Sequence, residues 1–246
     1  ACLVGLLRAR KVEHDATRYG LTGLFVGSGG WAASHAGLFV APTPQLKLAS
    51  YTLGLVLGFS TVFSWLYFAS AYTGRDYHHD RRLLGAGAAV YLATVVIKVT
   101  NPLHHLYFTA ETVTEPFVHL AIEQQMVHWV VTGLAYALAA VGLFMLFEQF
   151  REAGYDTRGL AALTGVTALP VVFDIVGFTS EQLLNVIYAP IGVAAFAVGV
   201  LYIYEDRFLA VQLTGGLDDA FVFLDDDGQI RDYNDQAVSL FPSLQG

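Results

Sequence analysis

Long apolar stretches alternate with short charged stretches along most of this chain. Six apolar stretches are near or above the length that crosses a hydrocarbon core at 1.5 Å per residue: 19–41, 48–72, 83–99, 129–147, 160–178 and 186–204. A shorter apolar stub at 1–7 precedes them, and we expect it to be the truncated end of a first helix. With it the pattern predicts an all-α membrane protein, a bundle of seven transmembrane helices.

The basic residues predict how the bundle is oriented in the cell membrane. Alternating spans place the loops 8–18, 74–82 and 148–159 on one side, together with the chain from 205 onward. That side carries eleven of the thirteen Lys and Arg residues, and only Lys47 and Lys98 fall on the other. Cytoplasmic loops are enriched in Lys and Arg, so this multi-pass protein is predicted to have its N-terminus outside and its C-terminus in the cytoplasm.

The pattern changes near residue 215. Residues 220–224 and 229–233 read as short strands around an acidic turn with Gly228, and a helix is expected through Leu240. This part holds seven acidic residues and one arginine. We therefore divide the chain into a membrane domain, 1–210, and a hinge with the start of a cytoplasmic α/β domain, 211–246. Because acidic residues repel the phosphate backbone, we do not expect nucleic acid as a partner of this soluble part.

Composition agrees with the membrane prediction and excludes several kinds of site. Hydrophobic residues make up 55% of the chain and charged residues 14%, against about 25% charged in globular proteins. The single cysteine, Cys2, excludes an internal disulfide and a paired-cysteine metal site. No phosphate-binding glycine loop or nucleophile elbow is present, so no catalytic residue is predicted. The excess of arginine over lysine and the Asp-rich end fit a high-salt proteome.

Polar residues within or beside the spans are candidates for a ligand site, because they are costly in lipid. Those on the predicted outer side are His35, Lys98, Asn101, His104, His105, His119, Glu123, His128 and Asp174. His119 and Glu123, four residues apart, would share one face of a helix. These residues predict an outward-facing pocket for a small ligand, with no metal site because compact ligand spacing is absent. Ordinary polarity of a solvated loop is the alternative.

Lys98 and Asp174 form one possible buried pair. The alternative is that Lys98 extends to the outer interface while Asp174 bonds to a neighbouring helix. A retinal protein is excluded by the lack of a lysine in the span 186–204. A transporter or channel stays open as one possible function, although no run of buried charges links the two sides of the membrane.

Two segments, FSWLYFASAYTGR at 63–75 and TNPLHHLYF at 100–108, stand out between and at the ends of the spans. They resemble the N-terminal seven-helix sensor region of sensor histidine kinases, and we expect a haloarchaeal member. The resemblance covers about residues 1–210, and 216–237 resembles the opening of a PAS domain. It implies a sensor domain in a two-component signal-transduction system, although related regions also feed outputs other than kinases.

The resemblance further implies partners and a route for the signal. A homodimer in membrane lipid would pass the signal through the last helix and the hinge residues Glu205, Asp206 and Arg207 to the PAS module. The phosphorelay to a response regulator, and the ATP it consumes, would belong to domains further along. The 246 residues contain no phosphoacceptor context and no ATP-binding motif, so we expect neither cofactor nor catalysis in this chain.

Overall fold

The computed structural model describes residues 2–10, 12, 14–114, 119–152, 220, 222–224, 227–233 and 235–245. The helices in these ranges are α1 (Cys2–Ala9), α2 (Asp15–Val40), α3 (Pro44–Tyr72), α4 (Arg81–Val99), α5 (Asn101–His104), α6 (Met126–Glu152) and α7 (Asp235–Leu240). The strands are β1 (Phe108–Val113), β2 (His119–Gln124), β3 (Val222–Leu224) and β4 (Ile230–Tyr233).

The long helices begin a few residues before the predicted apolar spans, because polar residues cap them. Thr43 accepts a hydrogen bond from a backbone N–H of the first turn of α3, and Pro44 occupies the first turn, where its missing N–H costs nothing. Asp80 accepts two such bonds at the start of α4. His14 caps α2 in the same way. Hydropathy locates the apolar run, whereas the helix itself starts at the nearest side chain that can satisfy its free N–H groups.

Three helices in the described ranges are long and apolar enough to cross a membrane: α3, α4 and the part of α6 from Met126 to Gln149. They coincide with three of the predicted spans. Helix α2 is 26 residues long and coincides with a fourth, but does not qualify as a membrane span on composition. The predicted spans 160–178 and 186–204 lie outside the described residues, as do Asp174 and the hinge residues Glu205, Asp206 and Arg207.

Helices α2 and α3 pack closely because glycines remove side chains from their contact. A Cβ atom on Gly20 would lie 2.6 Å from the Cα atom of Phe68, and one on Gly27 would lie 2.8 Å from the Thr61 methyl group. Close backbone approach at small residues is how membrane helices gain packing energy, since lipid offers no hydrophobic drive for association.

The described helices give the bundle two distinct ends. Helices α3 and α6 run in the same direction, and the indole N–H of Trp65 donates to the Ala139 carbonyl at 3.0 Å. Helix α4 runs back alongside α3, because Lys98 contacts Leu55 while the earlier residue Tyr91 contacts the later residue Ser60. We call the end where α3 and α6 begin the hairpin end, and the end where both finish the loop end.

A β-hairpin lies at the hairpin end, between the predicted spans 83–99 and 129–147. Strands β1 and β2 are antiparallel, with Phe108 opposite Gln124 and Val113 opposite His119. His119 and Glu123 therefore lie on a strand rather than on the helix considered above. Residues four apart still share a face, because a strand repeats every two residues.

The C-terminal part contains the predicted order of strand, turn, strand and helix. Strands β3 and β4 are antiparallel, and Gly228 between them has a φ of 78°. That left-handed conformation is readily adopted by glycine. Helix α7 follows directly.

The α2–α3 contact yields a stability prediction. We expect Gly20→Ala to lower the free energy of unfolding by about 1–3 kcal/mol, because the new methyl group overlaps the backbone of Phe68. The matched control is Gly85→Ala on α4, where a Cβ would have no described residue within 4 Å; it should be neutral or slightly stabilising. Thermal unfolding in detergent measures both. Equal melting temperatures would contradict this account.

Candidate functional site

The Asn101 side chain holds the connection between α4 and the hairpin. It is 1% exposed. Its Oδ1 accepts hydrogen bonds from the backbone N–H groups of Tyr107 at 2.9 Å and Phe108 at 3.2 Å, and its Nδ2 donates to the Phe108 carbonyl at 2.8 Å. One amide thus satisfies three backbone groups that would otherwise be buried unpaired at the end of a membrane helix.

The histidines after Asn101 complete this turn. The His104 Nδ1 atom accepts from the Leu106 N–H at 3.0 Å, and its Nε2 lies 3.2 Å from the Thr100 hydroxyl oxygen. The Thr100 hydroxyl donates to the carbonyl of Val96, so this network assigns the proton of a neutral His104 to Nε2. His105 ends α5 in the left-handed conformation, with a φ of 53°, and is exposed. Both histidines therefore shape the turn.

Lys98 is buried beneath this turn, with 2% of its surface exposed. Its ammonium group donates to the Leu55 carbonyl of α3 at 2.7 Å. It also lies 4.7 Å from the ring centre of Phe59 and 5.3 Å from that of Tyr107. Aromatic faces attract cations, so these contacts partly replace water around the charge. Lys98 does not extend to the interface, which was the alternative considered from the sequence.

Polar side chains from α3 and α6 pack against Tyr107 and its neighbour Phe108. His128, buried at the start of α6, has its ring centre 5.2 Å from that of Tyr107. Tyr51 on α3 packs edge-on against Phe108, with 4.9 Å between ring centres. Burial, with Tyr51 alongside, raises the pKa of the Tyr107 phenol well above its usual value, which keeps that phenol neutral. We call Lys98, Tyr51, Tyr107, Gln124 and His128 the Lys98 cluster.

Two buried histidine nitrogens in or near this cluster have no hydrogen-bond partner in the part of the chain that the structure describes: His128 Nδ1 and, on α2, His35 Nε2. The Tyr51 hydroxyl is hydrogen-bonded to the Gln124 side chain. Buried polar groups are nearly always paired, with protein or with water. His128 therefore gives the cluster a nitrogen that can bind a polar molecule.

The structure brings some of the predicted site residues together and separates others. Lys98, Asn101 and His128 are buried at the hairpin end. His119 and Glu123 lie on β2, the former half-buried and the latter exposed. His35 lies on α2, where its Nδ1 is 3.3 Å from the Trp31 carbonyl oxygen and 3.4 Å from the Cβ position of Gly54 on α3.

Sequence reasoning missed Tyr51, Phe59, Tyr107 and Gln124 as members of this site. Tyr51, Leu55 and Phe59 follow one another at four-residue spacing on α3. The sequence could therefore have predicted that they share one face of this helix. Tyr107 and Gln124 had no such signal, because the hairpin that positions them was not predicted. In the described ranges, no three His, Cys, Asp or Glu side chains converge as metal ligands would.

The loop end is held by a different polar network. Arg75 forms an ion pair with Glu148 of α6. The Ser70 hydroxyl donates to the Arg75 carbonyl at 2.7 Å and accepts from the His78 backbone N–H at 3.2 Å. His78 Nδ1, 3.0 Å from that hydroxyl, therefore carries a proton. Burial, and then the neighbouring His79, lower the pKa of His78, which favours its neutral form.

Comparison with known proteins assigns the family. A family model described as the N-terminal 7TM region of histidine kinase matches residues 1–211. The chain belongs to this family of histidine kinase membrane regions. It matches no curated protein and no solved structure. The matched region of this histidine kinase family includes both the Lys98 cluster and the Arg75–Glu148 pair.

The role of Asn101 can be tested by removing its amide. We expect Asn101→Ala to loosen the hairpin, because three backbone groups lose their partner at roughly 1–3 kcal/mol for each buried group left unsatisfied. Hydrogen exchange should accelerate at the Tyr107 and Phe108 amides. Glu111→Ala, at an exposed position of β1, is the control and should leave these amides protected. Unchanged protection in Asn101→Ala would show that the amide does not hold the turn.

The Arg75–Glu148 pair can be tested by exchanging its charges. We expect Arg75→Glu and Glu148→Arg each to lower the melting temperature, and the double variant to recover part of the loss. The coupling should be about 1 kcal/mol, since the pair is partly exposed. Arg81→Glu, an exposed arginine at the start of α4, should show no coupling to Glu148→Arg. If the losses of stability in Arg75→Glu and Glu148→Arg simply add in the double variant, the ion pair is refuted.

Proposed function

We propose that this chain is the sensory input region of a histidine kinase in a two-component system, and that it receives its stimulus at the hairpin end. The observation that carries the proposal is the burial of Lys98 beneath the hairpin. A charged side chain inside a membrane domain is costly and is retained where it serves a site or a pathway. Together with His128 Nδ1, which has no partner among the described residues, Lys98 makes this cluster the best candidate for that site.

The proposed orientation places the hairpin end outside the cell. In the described part of the membrane region, arginines concentrate at the loop end, at positions 8, 10, 18, 75, 81, 82 and 151, whereas the hairpin end has Lys47 and Lys98. Lys and Arg favour the cytoplasmic side. An extracellular or membrane stimulus would then reach the Lys98 cluster first, and the loop end would face the cytoplasm.

Helix α3 offers a physical connection between the two ends. Its Leu55 carbonyl binds Lys98, its Trp65 binds α6, and Arg75 just beyond it binds Glu148. A ligand that prefers one arrangement of these helices shifts the population toward it by its difference in affinity. In this proposal α3 and α6 move together, and the bonds at both ends are the ones that change.

The remaining steps of the proposal rest on the sequence. The last predicted span would carry the movement through Glu205, Asp206 and Arg207 into a PAS module that begins after residue 211. The chain would act as a homodimer in the lipid bilayer, and a response regulator would receive the phosphoryl group from catalytic domains outside this chain. Those domains would bind ATP, and this chain would need no cofactor.

The orientation is tested by cysteine labelling in a Cys2→Ser background, which removes the only natural cysteine. Glu111→Cys on the hairpin and Asp76→Cys at the loop end are matched exposed acidic positions. We expect a membrane-impermeant maleimide to label the former in intact cells and the latter only after permeabilisation. The opposite pattern would invert the topology and contradict the proposal that the stimulus arrives at the hairpin end.

The kinase assignment is tested by reading the gene beyond Gly246. A reading frame without a phosphoacceptor helix and an ATP-binding domain would contradict it.

A further inference from the structure

Three neighbouring carbonyl groups in the middle of α3 accept hydrogen bonds from side chains. The donors are the Lys98 ammonium to Leu55 at 2.7 Å, the Ser60 hydroxyl to Val56 at 2.9 Å and the Thr61 hydroxyl to Gly58 at 2.6 Å. Helix α3 is continuous through this segment, so each of the three carbonyls also faces the backbone N–H four residues later. In each case a side chain therefore competes with the helix for the same oxygen.

Side-chain bonds of this kind bend helices. A side chain that enters the ladder of backbone hydrogen bonds is one of the physical causes of a kink, and a Ser or Thr hydroxyl that bonds back to the preceding turn also bends a helix. The three carbonyls, at 55, 56 and 58, lie within about one turn of α3. Their effects therefore fall at one place along the helix.

Two glycines lie in the same part of α3 and lower the cost of bending there. Gly54 and Gly58 have more backbone freedom than any residue with a side chain. They also admit α2, because a Cβ atom on Gly58 would lie 2.7 Å from the Trp31 ring and one on Gly54 would lie 3.4 Å from the His35 Nδ1 atom. A glycine substitution would therefore disturb the contact with α2 as well, and is not a clean test of bending.

Helix α4 contacts this part of α3 at two levels. The Lys98 ammonium binds the Leu55 carbonyl. The Tyr91 hydroxyl, one to two turns earlier on α4, donates to the Ser60 hydroxyl oxygen at 2.9 Å, because the Ser60 proton is used on a carbonyl of α3. The Tyr91 ring lies parallel to that of Phe59, with 6.1 Å between ring centres, and the Lys98 ammonium lies over the same Phe59 ring. Contacts from α4 therefore hold α3 at this point.

We infer that residues 55–61 of α3 form a hinge, at which the part 44–54 tilts relative to the part 62–72. The hinge follows from the contacts described above. Its use in carrying a signal rests on the proposed sensory function: a stimulus that draws Lys98 away from Leu55 returns that carbonyl to the helix ladder and changes the tilt.

Spin labels at the two ends of the bundle measure this tilt. Cysteines in the Cys2→Ser background carry the labels at exposed positions: Leu46 and Val130 form the hairpin-end pair, and Asp76 and Arg151 form the loop-end pair. Double electron–electron resonance on the full chain in nanodiscs gives the distribution of distances in each pair. Because Trp65 binds the loop-end part of α3 to α6, we expect a broader distribution for the hairpin-end pair than for the loop-end pair.

The double variant Ser60→Ala/Thr61→Val removes two of the three side-chain bonds to α3. We expect the hairpin-end distribution to become narrower and its mean to shift by about 3–5 Å, because a tilt of about 10–20° moves the end of a segment roughly 16 Å long by that distance. The loop-end pair should not change. Ser50→Ala/Thr52→Val is the matched control on the same helix outside the hinge, and should leave both pairs as they are in the wild type.

Two variants on α4 test its hold on the hinge. Lys98→Met keeps the length of the side chain and removes the bond to Leu55, so it should shift the hairpin-end mean in the same direction as the Ser60→Ala/Thr61→Val variant. Lys47→Met is its control and should leave the mean unchanged. If Lys98→Met fails to fold, Tyr91→Phe decides, because it removes only a hydroxyl: losing this contact with α4 should broaden the hairpin-end distribution.

Three results would overturn the hinge. One is an unchanged hairpin-end pair in all the hinge and α4 variants. Another is an equal shift in the Ser50→Ala/Thr52→Val control, which would show a general softening of α3. The third is a matching shift of the loop-end pair, which would show that α3 moves as one rigid rod. Because no kinase output is measured, the hinge can fail while the labelling experiment for orientation succeeds, and the reverse.

Discussion

The arrangement of the hairpin end depends on one buried amide. A chain that leaves a membrane helix and turns back over the bundle exposes backbone groups to a region with little water, where each unpaired group is costly. Asn101 satisfies three of them. Pro102 lies in the first turn of α5, where a backbone N–H would have no partner within the helix, so its missing N–H costs nothing. The hairpin can then lie directly over Lys98, which converts the end of a helix into a covered polar cluster.

Burial under the hairpin changes what Lys98 can do. At an open interface its ammonium would be hydrated and its long stem would lie along apolar surface. Here the Leu55 carbonyl and the rings of Phe59 and Tyr107 take the place of water. These contacts come from two different elements, α3 and the hairpin connection, so a movement of either one alters the surroundings of the charge. That property suits the sensory site proposed above.

The sequence predicted the long helices well and the site only in part. Apolar runs locate α3, α4 and α6 because lipid imposes a uniform requirement along each span, and Pro and Gly with their polar neighbours mark the ends. The hairpin was missed because its strands are short and largely solvent-exposed, which leaves no alternating pattern. The sequence left the burial of Lys98 open and missed its partner for another reason: Leu55 lies 43 residues earlier in the chain, and hydrophobic periodicity reports only the face of one helix.

The polar contacts at the two ends differ in a way that bears on signalling. At the hairpin end no described carboxylate lies beside Lys98, so under the proposed function a polar ligand that binds there would add a new interaction. At the loop end Arg75 already has Glu148, and that pair is partly exposed, so it contributes little and can exchange with water at low cost. A gain in energy at one end of α3 can therefore be offset by a small loss at the other. Under the proposed function, this asymmetry would let a weakly bound molecule shift the helices, because the shift would require only a difference in affinity comparable with the cost of opening one part-buried ion pair.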